Sequence, residues 1–135
     1  MDFSKLVMIK RDENNNYVGE ACSFIAFQGA EYVTKLYTDG KVVHMIFDTA
    51  KDVEDWEFEA LFDYFNEEAF DKYNVKIEAM DEEFNPTWGL EFDYIEEQEE
   101  MSLKVERLCR TIALEIENAF NEIKDKQDEY IVEEE

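Results

Sequence analysis

Basic residues are scarce in this chain of 135 residues. It has 13 lysines and arginines against 36 aspartates and glutamates, and a formal net charge of −23 at pH 7. Nucleic acids and anionic membranes attract positive protein surfaces, so both are disfavoured as direct partners. The sequence also lacks a basic leader and any apolar run near the roughly 18 residues that span a bilayer. We therefore expect a soluble, cytoplasmic protein whose partners are basic.

Glycine, proline, cysteine and histidine are also rare, at 4, 1, 2 and 1 residues. The glycines are too dispersed for a phosphate-binding loop. Cys22 and Cys109 lie far apart without a CxxC pattern, which disfavours a disulfide framework and a zinc site. His44 lies in an apolar run and is more typical of a packed residue than of a catalytic base. We predict no catalytic residue, no metal site and no cofactor.

Large apolar side chains, by contrast, are abundant. Hydrophobic residues make up 45% of the chain, with 11 Phe, 7 Tyr and 2 Trp among them. This composition is typical of a folded protein despite the charge, and the length suits one domain. We predict a single α+β domain over residues 1–131, followed by an acidic disordered tail at 132–135.

The apolar pattern changes along the chain from short runs to helical periodicity and back. Asp39-Gly40 between two apolar runs predicts a β-hairpin with a two-residue turn. The strand after this turn is apolar on both faces, which predicts a central, covered strand. We expect an antiparallel sheet of about six strands in the order ββββ-α-ββ-α, with both helices packed on one face of the sheet and a long C-terminal helix.

The two predicted helices differ in length. Thr49 and Asp52 have the spacing of a capping box, so we expect the first helix to begin there. On this helix Phe58 and Phe62 widen the apolar stripe, either as a broad core contact or as an exposed aromatic surface. The second helix, over residues 98–130, would be about 50 Å long if continuous. Either its last turns pack on a second copy, or it breaks near residues 124–126.

The negative charge is unevenly distributed. Residues 1–48 hold 7 acidic and 5 basic residues, whereas residues 49–135 hold 29 and 8. Such charge runs most often form a solvated helix face, and the alternative is a surface that occupies a basic site. Six carboxylates on and after the first helix form the candidate contact surface for a partner: Asp52, Asp55, Glu59, Asp63, Glu67 and Glu68.

Three functional hypotheses follow from this charge. The first is a non-enzymatic inhibitor or immunity-type protein that occupies a basic, nucleic-acid-binding site on a partner protein. The second is a small cytoplasmic adaptor or homodimeric scaffold whose C-terminal helix forms the interface, around Ile112 and Ile116, and whose charge serves only solubility. The third is an enzyme with paired carboxylates, which only the abundance of acids supports, because such pairs arise here by chance.

Overall fold

The chain folds as an α+β structure built on a six-stranded sheet. A computed structural model describes residues 5–25 and 28–130; the predicted tail at 132–135 lies outside the described residues. The strands are β1 (Lys5–Arg11), β2 (Tyr17–Ile25), β3 (Val33–Thr38), β4 (Val42–Asp48), β5 (Lys76–Met80) and β6 (Thr87–Asp93). Their order across the sheet is β2-β1-β3-β4-β6-β5. The number of strands therefore agrees with the sequence prediction, and β4 is a central strand.

The sheet is mixed, and the prediction of a purely antiparallel sheet was wrong. β1 pairs antiparallel with β2 but parallel with β3, whereas the other neighbours are antiparallel. In the described part of the two strands, the parallel pairing joins Ile9 with Tyr37 and Lys10 with Thr38. It arises because the chain leaves β2 on one side of β1 and enters β3 on the other side. Apolar periodicity identifies strands but not their partners, so it could not indicate this crossover.

The helical segments also depart from the predicted order ββββ-α-ββ-α. They are α1 (Asp55–Tyr64), α2 (Gln98–Ile123), α3 (Gln127–Tyr130) and two 3₁₀ helices (Ala30–Tyr32 and Glu67–Tyr73). The 3₁₀ helices precede β3 and β5. The long helix ends at Ile123, which agrees with the alternative that it breaks near residues 124–126. Its 26 residues make α2 about 39 Å long.

The first helix begins later than its predicted capping box. Glu54 is the N-cap, and its side chain and that of Glu57 form the reciprocal capping pair with the backbone. Thr49 instead donates its hydroxyl to the carbonyl oxygen of Lys51 at 2.6 Å. This local bond holds a turn before the helix, in which Ala50 has a φ of 63°. Residues 49–53 therefore form a connection, not the first turn of α1.

The core lies between the helices and one face of the sheet. Along β4, Val43, Met45 and Phe47 are fully buried, and the intervening side chains are half-buried. Phe47 and Phe65 both stack on Trp88, at centroid distances of 5.6 and 4.2 Å. The described helices pack on this inner face, so the expectation that both faces of β4 are covered was wrong. The outer face of β4 is apolar in sequence but only half-buried.

The long helix contributes most of its apolar side to the core. Its fully buried residues include Met101, Val105, Leu108, Ile112 and Ile116. Because Ile112 and Ile116 are packed inside the protein itself, they are not available as the predicted dimer contact. Within residues 5–25 and 28–130, no helix combines the length and apolar character needed to cross a membrane.

Candidate functional site

Three of the six predicted contact residues lie together on α1. Asp55, Glu59 and Asp63 recur at intervals of four residues and are exposed to solvent. Residues four apart lie on the same side of a helix, so these carboxylates form one row. Ala60 and Leu61 of the same helix are fully buried. We call Asp55, Glu59 and Asp63 the acidic stripe.

The other three predicted residues do not continue this stripe. Asp52 lies in the connection before α1, where its Oδ1 accepts a hydrogen bond from Asn85 Nδ2 at 3.1 Å. Glu67 and Glu68 begin the second 3₁₀ helix, and Glu67 is half-buried. The predicted surface of six residues is therefore a stripe of three with separate carboxylates at either end of α1.

Asp63 differs from its two partners in the stripe. Its Oδ2 accepts a hydrogen bond from the hydroxyl of Tyr130 at 2.6 Å, which connects α1 to α3. This bond to the carboxylate raises the pKa of Tyr130, because the neutral hydroxyl is the donor. Asp55 and Glu59 are thus the carboxylates of the stripe that are best placed to meet a partner.

The two phenylalanines of α1 have different surroundings. Their rings lie 5.2 Å apart in an edge-on arrangement, and both are half-buried. Phe62 contacts Trp88 at a centroid distance of 5.0 Å and packs against the core. Phe58 lies outside the described core cluster. The broad core contact therefore accounts for Phe62, and Phe58 remains partly accessible next to the acidic stripe.

Few carboxylates of the described residues are neutralised by a described partner. In the described part of the chain, ion pairs join Arg110 to Glu106 at 2.7 Å and Lys126 to Asp125 at 3.7 Å. Neither pair involves the acidic stripe. Because exposed pairs contribute little to stability in any case, the acids of this surface are not explained by ion pairing in the fold.

Two further surface features could not be found from sequence spacing. A cavity of about 470 Å³ lies between the first 3₁₀ helix, the turn before α1 and α2, and Lys51 Nζ lies there 4.3 Å from the ring centre of Phe120. Leu103 and Leu114 are exposed on α2, at 50% and 55%. The first feature combines residues from distant segments. The two leucines lie on the exposed, otherwise polar side of α2, and the apolar periodicity of the helix does not predict their exposure.

The family can be assigned from the sequence as a whole. The model of the family described as "Family of unknown function (DUF6762)" matches residues 1–131. The chain belongs to this family. No curated protein and no solved structure matches it. The function of this DUF6762 member is therefore inferred from its own geometry and charge.

The two cysteine thiols of this DUF6762 protein are poorly suited to nucleophilic chemistry. Burial, with smaller contributions from Glu31 and Glu106, raises the pKa of Cys109 to about 12; burial also raises the pKa of Cys22. A thiol with a raised pKa holds little of the nucleophilic thiolate near neutral pH. In residues 5–25 and 28–130, no three His, Cys, Asp or Glu side chains are grouped so that they could hold a metal ion.

Proposed function

We propose that this protein is an acidic, non-enzymatic, cytoplasmic binding protein whose acidic stripe occupies a basic site on a partner protein. The observation that carries the proposal is the row of exposed carboxylates on α1, which form no ion pair with any residue of 5–25 or 28–130. Residues four apart on a helix are separated by about 6 Å along its axis. The stripe therefore offers regularly spaced negative charge on a rigid element.

The natural counterpart of such a row is a surface that binds nucleic acid. A protein that binds phosphates presents lysines and arginines along a groove, and a row of carboxylates can take the place of the phosphates. The net charge of −23 would accelerate the encounter with a basic partner and make the complex sensitive to salt. An inhibitor or immunity-type protein would combine these properties.

The test compares two variants of equal charge. In Asp55→Asn/Glu59→Gln the stripe loses two carboxylates, while Asp63 keeps its bond to Tyr130. The control, Asp81→Asn/Glu82→Gln, removes two exposed carboxylates between β5 and β6. Both variants have the same net charge, so any difference in binding reports position and not total charge.

Immobilised protein is mixed with native-cell extract at low salt, and the retained proteins are identified and purified. We expect a basic protein that nucleic acid or salt displaces, and that binds the stripe variant about tenfold more weakly than the control variant. Equal binding by the two variants would refute the role of the stripe. Retention of no basic protein at low salt would refute the proposed function as a whole.

A homodimeric scaffold is the second candidate, and the exposed leucines of α2 favour it. Leu103 and Leu114 are 11 residues apart, which is about three helical turns, so they lie on the same side of the helix. In analytical ultracentrifugation, a dimer that Leu114→Asp converts to a monomer would support this function. A wild-type monomer at all concentrations would exclude it.

A further inference from the structure

A group of basic residues surrounds one cavity on this otherwise acidic protein. The cavity has a volume of about 320 Å³ and lies where the second 3₁₀ helix meets the first turns of α2. Lys72 lines it from the 3₁₀ helix, and Lys104 and Arg107 line it from α2. A single acidic residue, Glu100, is also part of the lining. The lining of the cavity therefore holds three basic residues and one acidic residue, on a chain whose net charge is −23.

These three cations are not used in ion pairs with the described residues 5–25 and 28–130. Lys104 Nζ lies 4.9 Å from the ring centre of Phe92, and Lys72 Nζ lies 5.4 Å from that of Tyr73. Burial lowers the pKa of Lys104, and Asp93 partly opposes this effect. The two ammonium groups thus lie against aromatic rings. On a surface so rich in carboxylates, three cations that line one cavity and form no ion pair with a described residue are unexpected.

Arg110 provides the internal comparison. It lies on α2 three residues after Arg107, and it pairs with Glu106 at 2.7 Å. Arg110 is not among the residues that line the cavity. The same helix therefore carries one arginine that is neutralised by its own neighbour and one that lines a cavity with two lysines.

The other walls of the cavity are largely apolar. Ile95, Leu103 and the ring of Tyr73 line it beside the cations. The hydroxyl of Tyr73 accepts a hydrogen bond from Thr111 Oγ1 at 3.1 Å, which ties the ring to α2. A ligand that matched these walls would carry an apolar group next to its charged end.

We propose that this cavity binds a small organic anion, with a carboxylate or phosphate group held by Lys72, Lys104 and Arg107 and an apolar group held by Leu103 and its neighbours. Arginine binds such groups through two parallel hydrogen bonds, and lysine adds compact positive charge. Long-range repulsion from the acidic surface opposes nonspecific anion binding. An anion that binds this protein must therefore be held by a local site. This inference does not depend on the acidic stripe.

The experiment titrates the full chain with phenyl phosphate, benzoate and inorganic phosphate, using calorimetry and amide NMR shifts. We expect one phenyl phosphate or benzoate per chain, with shifts around residues 72, 73 and 100–107. Inorganic phosphate should bind at least about fivefold more weakly, because it lacks the apolar group. Equal binding of inorganic and phenyl phosphate would overturn the apolar part of the proposal. No saturable binding of either organic anion by about 10 mM would overturn it entirely.

Matched variants assign the binding to the cavity. Arg107→Ala should weaken binding of the better organic anion about tenfold or more, and Arg110→Ala should change it less than about twofold. Lys104→Ala should weaken it as well, whereas Lys126→Ala, at a distant lysine, should not. Lys72→Ala should also weaken binding, and because Lys72 lies outside α2, this loss cannot result from a disturbed α2. If Arg110→Ala weakens binding as much as Arg107→Ala, the anion is not held in this cavity.

Discussion

Gly29 fixes the approach of the first 3₁₀ helix to α2, and its replacement is a sensitive test of the fold. Its φ is +96°, and a Cβ atom at this position would lie 1.8 Å from the carbonyl oxygen of Cys109 and 2.6 Å from its carbonyl carbon. Both atoms belong to the backbone of α2, so no side-chain rotation can relieve the overlap. Gly40 is the matched control: its φ is +97°, and the atom nearest to an added Cβ is Lys10 Cε, at 4.0 Å.

The magnitude follows from the difference between the two sites. Alanine in the left-handed region costs about 1 to 2 kcal/mol at either position. Gly29→Ala must in addition move backbone by more than 1 Å, because real Cβ atoms essentially never approach other atoms within 3.0 Å. Overpacking of a core typically costs about 1 to 3 kcal/mol and sometimes more. We therefore expect a loss of about 1 to 2 kcal/mol for Gly40→Ala and of about 3 kcal/mol or more for Gly29→Ala.

Urea denaturation of the wild type and both variants measures these losses, provided that the slope with denaturant is the same in all three. The expected result is a free energy of unfolding lower by at least about 1 kcal/mol in Gly29→Ala than in Gly40→Ala. Failure of Gly29→Ala alone to fold would agree with the same reasoning. Equal losses in the two variants would refute it, because they would mean that Gly29 does not touch α2.

Three further predictions concern titratable groups. Burial raises the pKa of Glu115 above its ordinary 4.5, against the opposing effects of Asn118 and Lys72. Ionisation is therefore easier in the unfolded chain, and this side chain costs stability as the pH rises above 4.5. Glu115→Gln should melt at a higher temperature than wild type at pH 7, and this difference in melting temperature should vanish below pH 4.5. A difference that is the same at both pH values would contradict the expectation that ionised Glu115 destabilises the fold. In the native protein, iodoacetamide followed by mass spectrometry should modify half-buried Cys22 before Cys109, whose thiol is buried. Tyr130→Phe removes the bond to Asp63 and should speed amide exchange in α3 while leaving the core protected; unchanged exchange there would show that the bond does not hold α3.

Local patterns predicted the elements of the fold better than their arrangement. The hairpin at Asp39-Gly40 is confirmed, although its connection is residues 39–41 and not the predicted two-residue turn. Its signal is local, because Asp39 Oδ1 accepts hydrogen bonds from the amides of Lys41 and Val42. The pairing of β3 with β1 follows a segment with a long-range contact instead: the 3₁₀ helix at Ala30–Tyr32 precedes β3, and Gly29 at its start lies against the backbone of Cys109 on α2. That contact joins residues about 80 positions apart, and no local pattern records it.

The same distinction applies to the two charged sites. The row Asp55, Glu59 and Asp63 follows from helical periodicity, so it could be read from the sequence once a helix was predicted there. The prediction that Asp52 belongs to this helix was wrong, because Glu54 is the N-cap of α1 and Asp52 lies in the connection before it. The cationic cavity could not be predicted, because Lys72 reaches it from a segment far in sequence from α2.

The short parallel pairing between β1 and β3 divides the sheet into two unequal parts. Among the described residues, only two pairs of strand residues join the β1–β2 hairpin to the four strands β3-β4-β6-β5, although Met8 and Phe24 of the hairpin are buried in the common core. Opening the molecule there would uncover the backbone of β3, and an uncovered strand can accept a strand from another chain. The charge of −23 opposes the approach of a second copy. Repulsion between molecules would thus protect this protein from aggregation at the place where its sheet is most weakly joined.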